Sequence, residues 1–250
     1  MPTPPKHQQR ARIAGIWFLL TFITAIAGLL LCDPLLNDTD YILGDGADTR
    51  VRFGALFEVL LVIANIATAT VLFPILRRWS ETLALSYVAS RVVEGTIIAV
   101  GIVSLLSVLT LRDDFAGGGA DAGSLSVAGE ALVAIHDWTF LIGPGFCVGV
   151  GNGILLGYLM YRSGLVPRRM AMLGLIGGPL ILASCVAVLL GAYEQTAGTH
   201  FLLSIPEIAW ELSLGIYLIV KGFKPSPILD DSRYSGLDER LLQRQAEAQG

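Results

Sequence analysis

Apolar residues in this chain gather into long runs, and polar residues collect in the short stretches between them. Six runs, 13–31, 53–76, 83–109, 130–161, 170–191 and 203–223, approach or exceed the roughly 20 mostly apolar residues that a helix needs to cross a bilayer. Open sheet edges and bare loops are not tolerated in lipid, so each run is expected to be a helix. The fourth is long enough to begin as an interfacial turn or to be kinked. The pattern therefore predicts an all-α, polytopic integral membrane protein, a compact bundle of six transmembrane helices within residues 10–224. Residues 1–9 read as a mobile N-terminal tail. Residues 225–250 read as a C-terminal tail, in which Leu237, Leu241 and Leu242 form one narrow apolar stripe or stay solvated.

Composition agrees with the pattern. Of 250 residues, 54% are hydrophobic and only 15% charged, against about 45–50% and about 25% in a soluble domain. The mean hydropathy is +0.66. The shortage of charge is the stronger signal, because a soluble surface of this size needs charge to stay dispersed. The net charge of −4 gives no reason to expect a nucleic-acid partner. Cys32, Cys147 and Cys185 have neither disulfide-framework nor zinc spacing. Ala25-Ile26-Ala27 resembles a signal-peptidase site, but the apolar run continues past it to Leu31, which favours a retained anchor. "LLLC" ending at Cys32 lacks the small residue that a lipoprotein box places before its cysteine.

Charge sets the expected orientation. One group of connections holds Lys6, Arg10, Arg12, Arg77, Arg78, Arg162, Arg168, Arg169, Lys221 and Lys224. The other holds only Arg50, Arg52 and Arg112 but carries Asp33, Asp38, Asp40, Asp45, Asp48, Asp113, Asp114 and Asp121. Threading six helices in alternation puts every basic connection on one side. The positive-inside rule then places both termini in the cytoplasm, with the chain in a cell's inner membrane.

The candidate chemistry lies inside the spans, at Glu58, Arg91, Glu94, His136, Asp137, Glu207 and Glu211. A charge at the bilayer centre costs at least ~2.5–3.5 kcal/mol on insertion scales, so such residues usually face the bundle interior and have a partner or a task. Five are acids and one is a permanent base, so Arg91 cannot neutralise them all. Arg91 and Glu94 share a helix face, as do Glu207 and Glu211. Glu207 follows Pro206, which suits a first helical turn, and Trp210 suits an interfacial anchor. Glu58 and Asn65 lie on one stripe of the second helix. His136 and Asp137 precede Gly143-Pro144-Gly145, where the helix is expected to break, as it is at Pro179. "GVGNG" at 149–153 is not a phosphate loop and reads as a packing face with Asn152 as a polar pin.

Several segments together resemble one family. They are "ARIAGIWFLLTFITAIAG", "RFGALFEVLLVIANIA", "SYVASRVVEGTII", "IHDWTFLIGPG", "YLMYRSGLVPRRMAMLGLIGGPLILA" and "IPEIAWELSLGIYLIVKGF". They resemble the bacterial membrane proteins grouped as domain-of-unknown-function family 4386, over roughly residues 10–224. The resemblance rests on R-x-x-E in the third helix, H-D-W then G-P-G in the fourth, and P-E-x-x-x-E in the sixth. It implies about six helices and no assigned activity, and it transfers no catalytic residue.

Three functions stay open. The acid excess fits a pocket of Glu58, His136, Asp137, Glu207 and Glu211 in the outer half of the bundle, with Asn65, Arg91 and Glu94 at its floor. Such a pocket suits a cation or small cationic solute. Six helices is small for a carrier, so this reading expects a homodimer in the lipid bilayer. The second is a metal-assisted hydrolase of a lipid or headgroup, with His136, Asp137, Glu58 and Glu211 as metal ligands. One buried histidine is a thin basis for it, and nothing else in the chain requires a cofactor. The third is a structural or sensory protein whose buried pairs only fix helix packing.

Overall fold

A computed structural model describes residues 5–38, 41–44, 48–116 and 121–231, with side chains of 115 and 116 excepted. Asp40, Asp45 and the leucines of the C-terminal stripe lie outside the described residues. Helices α1 (Pro5–Leu36), α2 (Asp48–Leu76), α3 (Glu81–Ala116), α6 (Arg168–Leu189) and α7 (Gly198–Val220) supply five spans. The remaining span is one continuous helical run, Ala122–Ser163. It consists of α4 (Ala122–Phe140), π-helical turns over Leu141–Cys147 and Gly149–Leu156, and α5 (Gly157–Ser163). No strand occurs among the described residues. All six spans are long and apolar enough to cross a membrane.

The packing runs opposite to that of a soluble protein. Val103, Leu190, Leu202 and Val220 are each more than 60% exposed, while Glu58, Asn65, Arg91, Glu94, His136, Asn152 and Glu207 are each at most 2% exposed. Large apolar side chains cover the outside because lipid is their solvent. Polar groups turn inward because only protein can satisfy them. This is a multi-pass membrane protein.

Small residues set the helix spacing. A Cβ added at Gly15 of α1 would stand 2.6 Å from the Gly215 carbonyl of α7. One added at Gly178 of α6 would stand 2.6 Å from the Gly149 carbonyl. The helices form a ring in chain order, α1 to α2, α3, the fourth span, α6 and α7, and α7 closes onto α1.

Both ends of the described chain meet at the basic end of this ring. Helix α1 starts at Pro5, so residues 5–9, expected as tail, continue the helix. The His7 side chain is buried there because the C-terminal segment folds over it. Asp231 reaches Lys6 at 2.8 Å, Arg78 at 2.9 Å and His7 at 3.2 Å. Gln8 exchanges two hydrogen bonds with the Phe223 backbone. Ile228 and Leu229 are buried in the same apolar cluster as Leu76 and Leu165. At the acidic end, the three basic side chains are all held by protein. Arg50 donates to the Leu30 carbonyl, Arg52 pairs with Asp113, and Arg112 pairs with Asp48 at 2.5 Å.

The expected break at Gly143, Pro144 and Gly145 takes another form. The chain stays helical and widens into π turns. Pro144 lacks an N–H and its ring crowds the preceding turn; an extra residue per turn relieves the crowding. Side chains from neighbouring helices satisfy carbonyls along the widened stretch. Ser90 donates to Cys147 O at 3.0 Å, and Trp210 Nε1 donates to Asn152 O at 2.9 Å. Pro179 likewise sits inside an unbroken α6.

Candidate functional site

The predicted site residues separate into two groups. The first surrounds the widened part of the fourth span. Helix α3 places Arg91 and Glu94 one turn apart facing inward, and α2 brings Asn65 against them. Arg91 donates to Glu94 Oε2 at 2.5 Å and to Asn65 Oδ1, while Asn65 Nδ2 donates to Glu94 Oε1 at 2.9 Å. The three side chains close a ring in which Glu94 is fully engaged.

These residues line a cavity of about 130 Å³ together with Phe140, Pro144 and Glu211. Across the fourth span is a second cavity of about 260 Å³, lined by Gln195, His200, Ser204, Glu207 and Glu211 on one side and Phe140, Pro144 and Gly145 on the other. Glu211, Phe140 and Pro144 border both. Gln195 lies in the connection before α7, so the larger cavity reaches the acidic-loop end.

Glu211 accepts a hydrogen bond from Asn152 Nδ2. Glu207 has no such support. It is 1% exposed, and neither carboxylate oxygen has a hydrogen-bond partner. Glycine leaves room for it: a Cβ added at Gly153 or Gly177 would stand 2.8 Å from Glu207 Oε2. Its depth differs from the first-turn position that Pro206 suggests. Helix α7 begins at Gly198, so Glu207 lies about 14 Å along the axis, not in the first turn. Trp210 is fully buried rather than an interfacial anchor, because its indole N–H is taken by the Asn152 carbonyl.

The second group is Glu58 and His136. Glu58 Oε1 and His136 Nε2 are 3.1 Å apart, and both residues are at most 2% exposed. The His136 ring packs on Phe140 with centroids 4.7 Å apart. Neither residue borders the two cavities above. Asp137 does not join the inward cluster. One residue on from His136, it points about 100° round the helix, and its side chain is 62% exposed with Oδ1 3.8 Å from His136 Nδ1. It borders a third cavity, of about 180 Å³, at the acidic-loop end with Asp38, Tyr41 and Glu130.

The four candidate metal ligands are therefore not one donor set. Glu58 and His136 pair with each other, Asp137 faces outward, and Glu211 is held by Asn152. Among the described residues no three His, Cys, Asp or Glu side chains converge on a metal-sized space.

The family model described as a domain of unknown function, DUF4386, matches residues 13–222. This chain belongs to the DUF4386 family. The match takes in all six spans and every inward-facing carboxylate. No curated protein and no solved structure matches the chain. Membership thus supplies no activity, and the chemistry of this DUF4386 protein is argued from its own residues. Phe140, Gln195, His200 and Ser204 were absent from the predicted pocket. A signal for two of them was present: His200, Ser204, Glu207 and Glu211 recur at helical spacing, one polar stripe of α7.

Proposed function

We propose that this protein binds a cation or a small cationic solute, with Glu207 and Glu211 as its charged ligands, and carries it across the membrane. The observation that carries this reading is Glu207. A buried carboxyl without a hydrogen bond costs stability and contributes nothing to packing that a Leu could not. A structural role would need a partner, and none is present among the described residues. The single guanidinium nearby is already engaged by Glu94 and Asn65. The cavity of about 260 Å³ that Glu207 and Glu211 both line is large enough for a hydrated ion or a small organic cation.

The lysine and arginine asymmetry supports an inner-membrane orientation with both termini in the cytoplasm. The larger cavity then opens outward among acidic loops, which raises the local cation concentration. Six helices are few for a carrier acting alone, so this reading takes it to act as a homodimer.

The test is a thermal-shift titration of purified protein with Na⁺, K⁺, Mg²⁺ and putrescine, beside Glu207→Gln and Glu211→Gln. A ligand at about 100 times its Kd stabilises the folded state by about 2.7 kcal/mol. A wild-type shift that both variants lose supports the reading, and uptake of that cation into proteoliposomes then tests carriage. A panel without any shift, or a shift that survives in both variants, rejects it.

A further inference from the structure

The cation reading makes no use of Glu58 and His136, yet they pair across two helices and are each at most 2% exposed. His136 Nε2 and Glu58 Oε1 share a hydrogen bond, in which the ring donates when Glu58 is ionised. The other atom of each group, His136 Nδ1 and Glu58 Oε2, is buried and has no hydrogen-bond partner. The pair is thus the middle of a chain of polar atoms with both ends open. At one end Asp137 Oδ1 lies 3.8 Å from Nδ1, and Asp137 is exposed on the acidic-loop cavity. The path from water in that cavity to Glu58 passes through one imidazole.

The surroundings isolate this path. Helix α3 contributes no titratable group at this level: Gly101 faces His136, where an added Cβ would stand 3.2 Å from Cδ2. Helix α1 presents Gly28 against Glu58, 3.0 Å from an added Cβ to Cγ, and Cys32 one turn further on. Within the fourth span, Phe140 caps the ring on its other side. Among the described residues, the titratable groups facing the pair are Cys32 and Asp137.

Charge balance shows what the arrangement does. With Asp137 and Glu58 ionised and His136 neutral, the buried pair carries a net negative charge in a medium of low dielectric. One added proton makes the buried pair neutral, as carboxylic acid with imidazole or as carboxylate with imidazolium. The remaining negative charge then rests on the solvated Asp137. We infer that Glu58, His136 and Asp137 form a proton-binding site, separate from the Glu207 cavity and loaded from the acidic-loop end through Asp137. The proton passes from water to Asp137 and then to His136 Nδ1, forming an N–H bond there. The Nε2 proton either stays, leaving imidazolium beside carboxylate, or moves to Glu58 Oε1. The net change is the uptake of one proton, and in both forms Nδ1 carries it.

The readout follows from that atom. The protein is labelled with ¹⁵N-histidine, placed in lipid nanodiscs, and its His136 resonances are assigned with His136→Gln. On going from about pH 9 to about pH 5, Nδ1 gains a proton. At the wild-type midpoint, the protonated fraction falls about threefold or more in Asp137→Asn, because an opposite charge within about 4–6 Å of the imidazole is gone. Asp137 is exposed, so this variant keeps the fold. Glu58→Gln, which removes the inner carboxylate, suppresses the uptake. An Nδ1 that is protonated throughout, bare throughout, or indifferent to Asp137→Asn overturns the inference. Because the signal comes from His136 itself, its failure is distinct from failure of the cation reading at Glu207.

Discussion

At the scale of single residues, two kinds of buried charge behave differently. Arg91 is part of a closed ring, so Arg91→Leu leaves Glu94 buried without its counter-charge, held only by Asn65. Breaking one side of such a pair costs about 3–5 kcal/mol, and Arg91→Leu with Glu94→Leu recovers much of it. Thermal unfolding in detergent measures both. Glu207 holds no hydrogen bond, so Glu207→Gln is expected to leave the Tm unchanged or raise it while abolishing cation binding. A large fall in Tm would instead assign Glu207 a structural part. The sequence exposed these residues by type, since a carboxylate in an apolar run needs a reason. It did not tell which way they face. Most of each span's circumference is apolar, and polar stripes such as Glu58–Asn65 or His200–Glu211 are narrow, so they give little reference for the direction of their neighbours. Sequence adjacency therefore groups Asp137 with His136 and sets Trp210 at the interface, where the structure turns Asp137 outward and buries Trp210.

At the scale of elements, the spans were legible from length and hydropathy alone, and each run lies within its observed helix to within two or three residues. The internal form of the fourth was not. Glycine and proline predict relief of the regular helix, but break, kink and π turn relieve it equally well in sequence terms. The choice depends on partners such as Ser90 and Trp210, which come from other helices. The α6–α7 contact tests how closely the elements are fitted. A Cβ at Gly174 would lie 2.7 Å from Trp210 Nε1, and one at Gly177 would lie 2.8 Å from Glu207 Cα. Gly174→Ala and Gly177→Ala should each cost about 1–3 kcal/mol by overpacking. Gly198→Ala, with nothing within 4 Å, should stay within about 0.5 kcal/mol of wild type. Denaturation of the three variants side by side decides the point.

At the scale of the whole molecule, the fold is held at its basic end by the segment around Asp231. The hydrogen bond from Lys6, joined by those from Arg78 and His7, holds its carboxyl well below the usual carboxylate range against the opposing effect of burial. A depressed value means that the stabilisation is present above about pH 4, the unfolded value, and is lost as pH falls through the folded one. Asp231→Asn should therefore lower the Tm at neutral pH, and the difference from wild type should shrink as the medium becomes strongly acidic. A difference that persists in acid would refute the ion-pair account. The same contacts bear on how the chain is strung. Because neighbours in space are neighbours in sequence and α7 returns to α1, the bundle has no obligatory first helix. Joining residue 231 to residue 5 and opening the α5–α6 connection, also at the basic end, would keep every helix direction and every adjacency. A gene cut and rejoined to begin at α6 is thus expected to specify the same ring, and cooperative thermal unfolding of the permuted protein in detergent checks it.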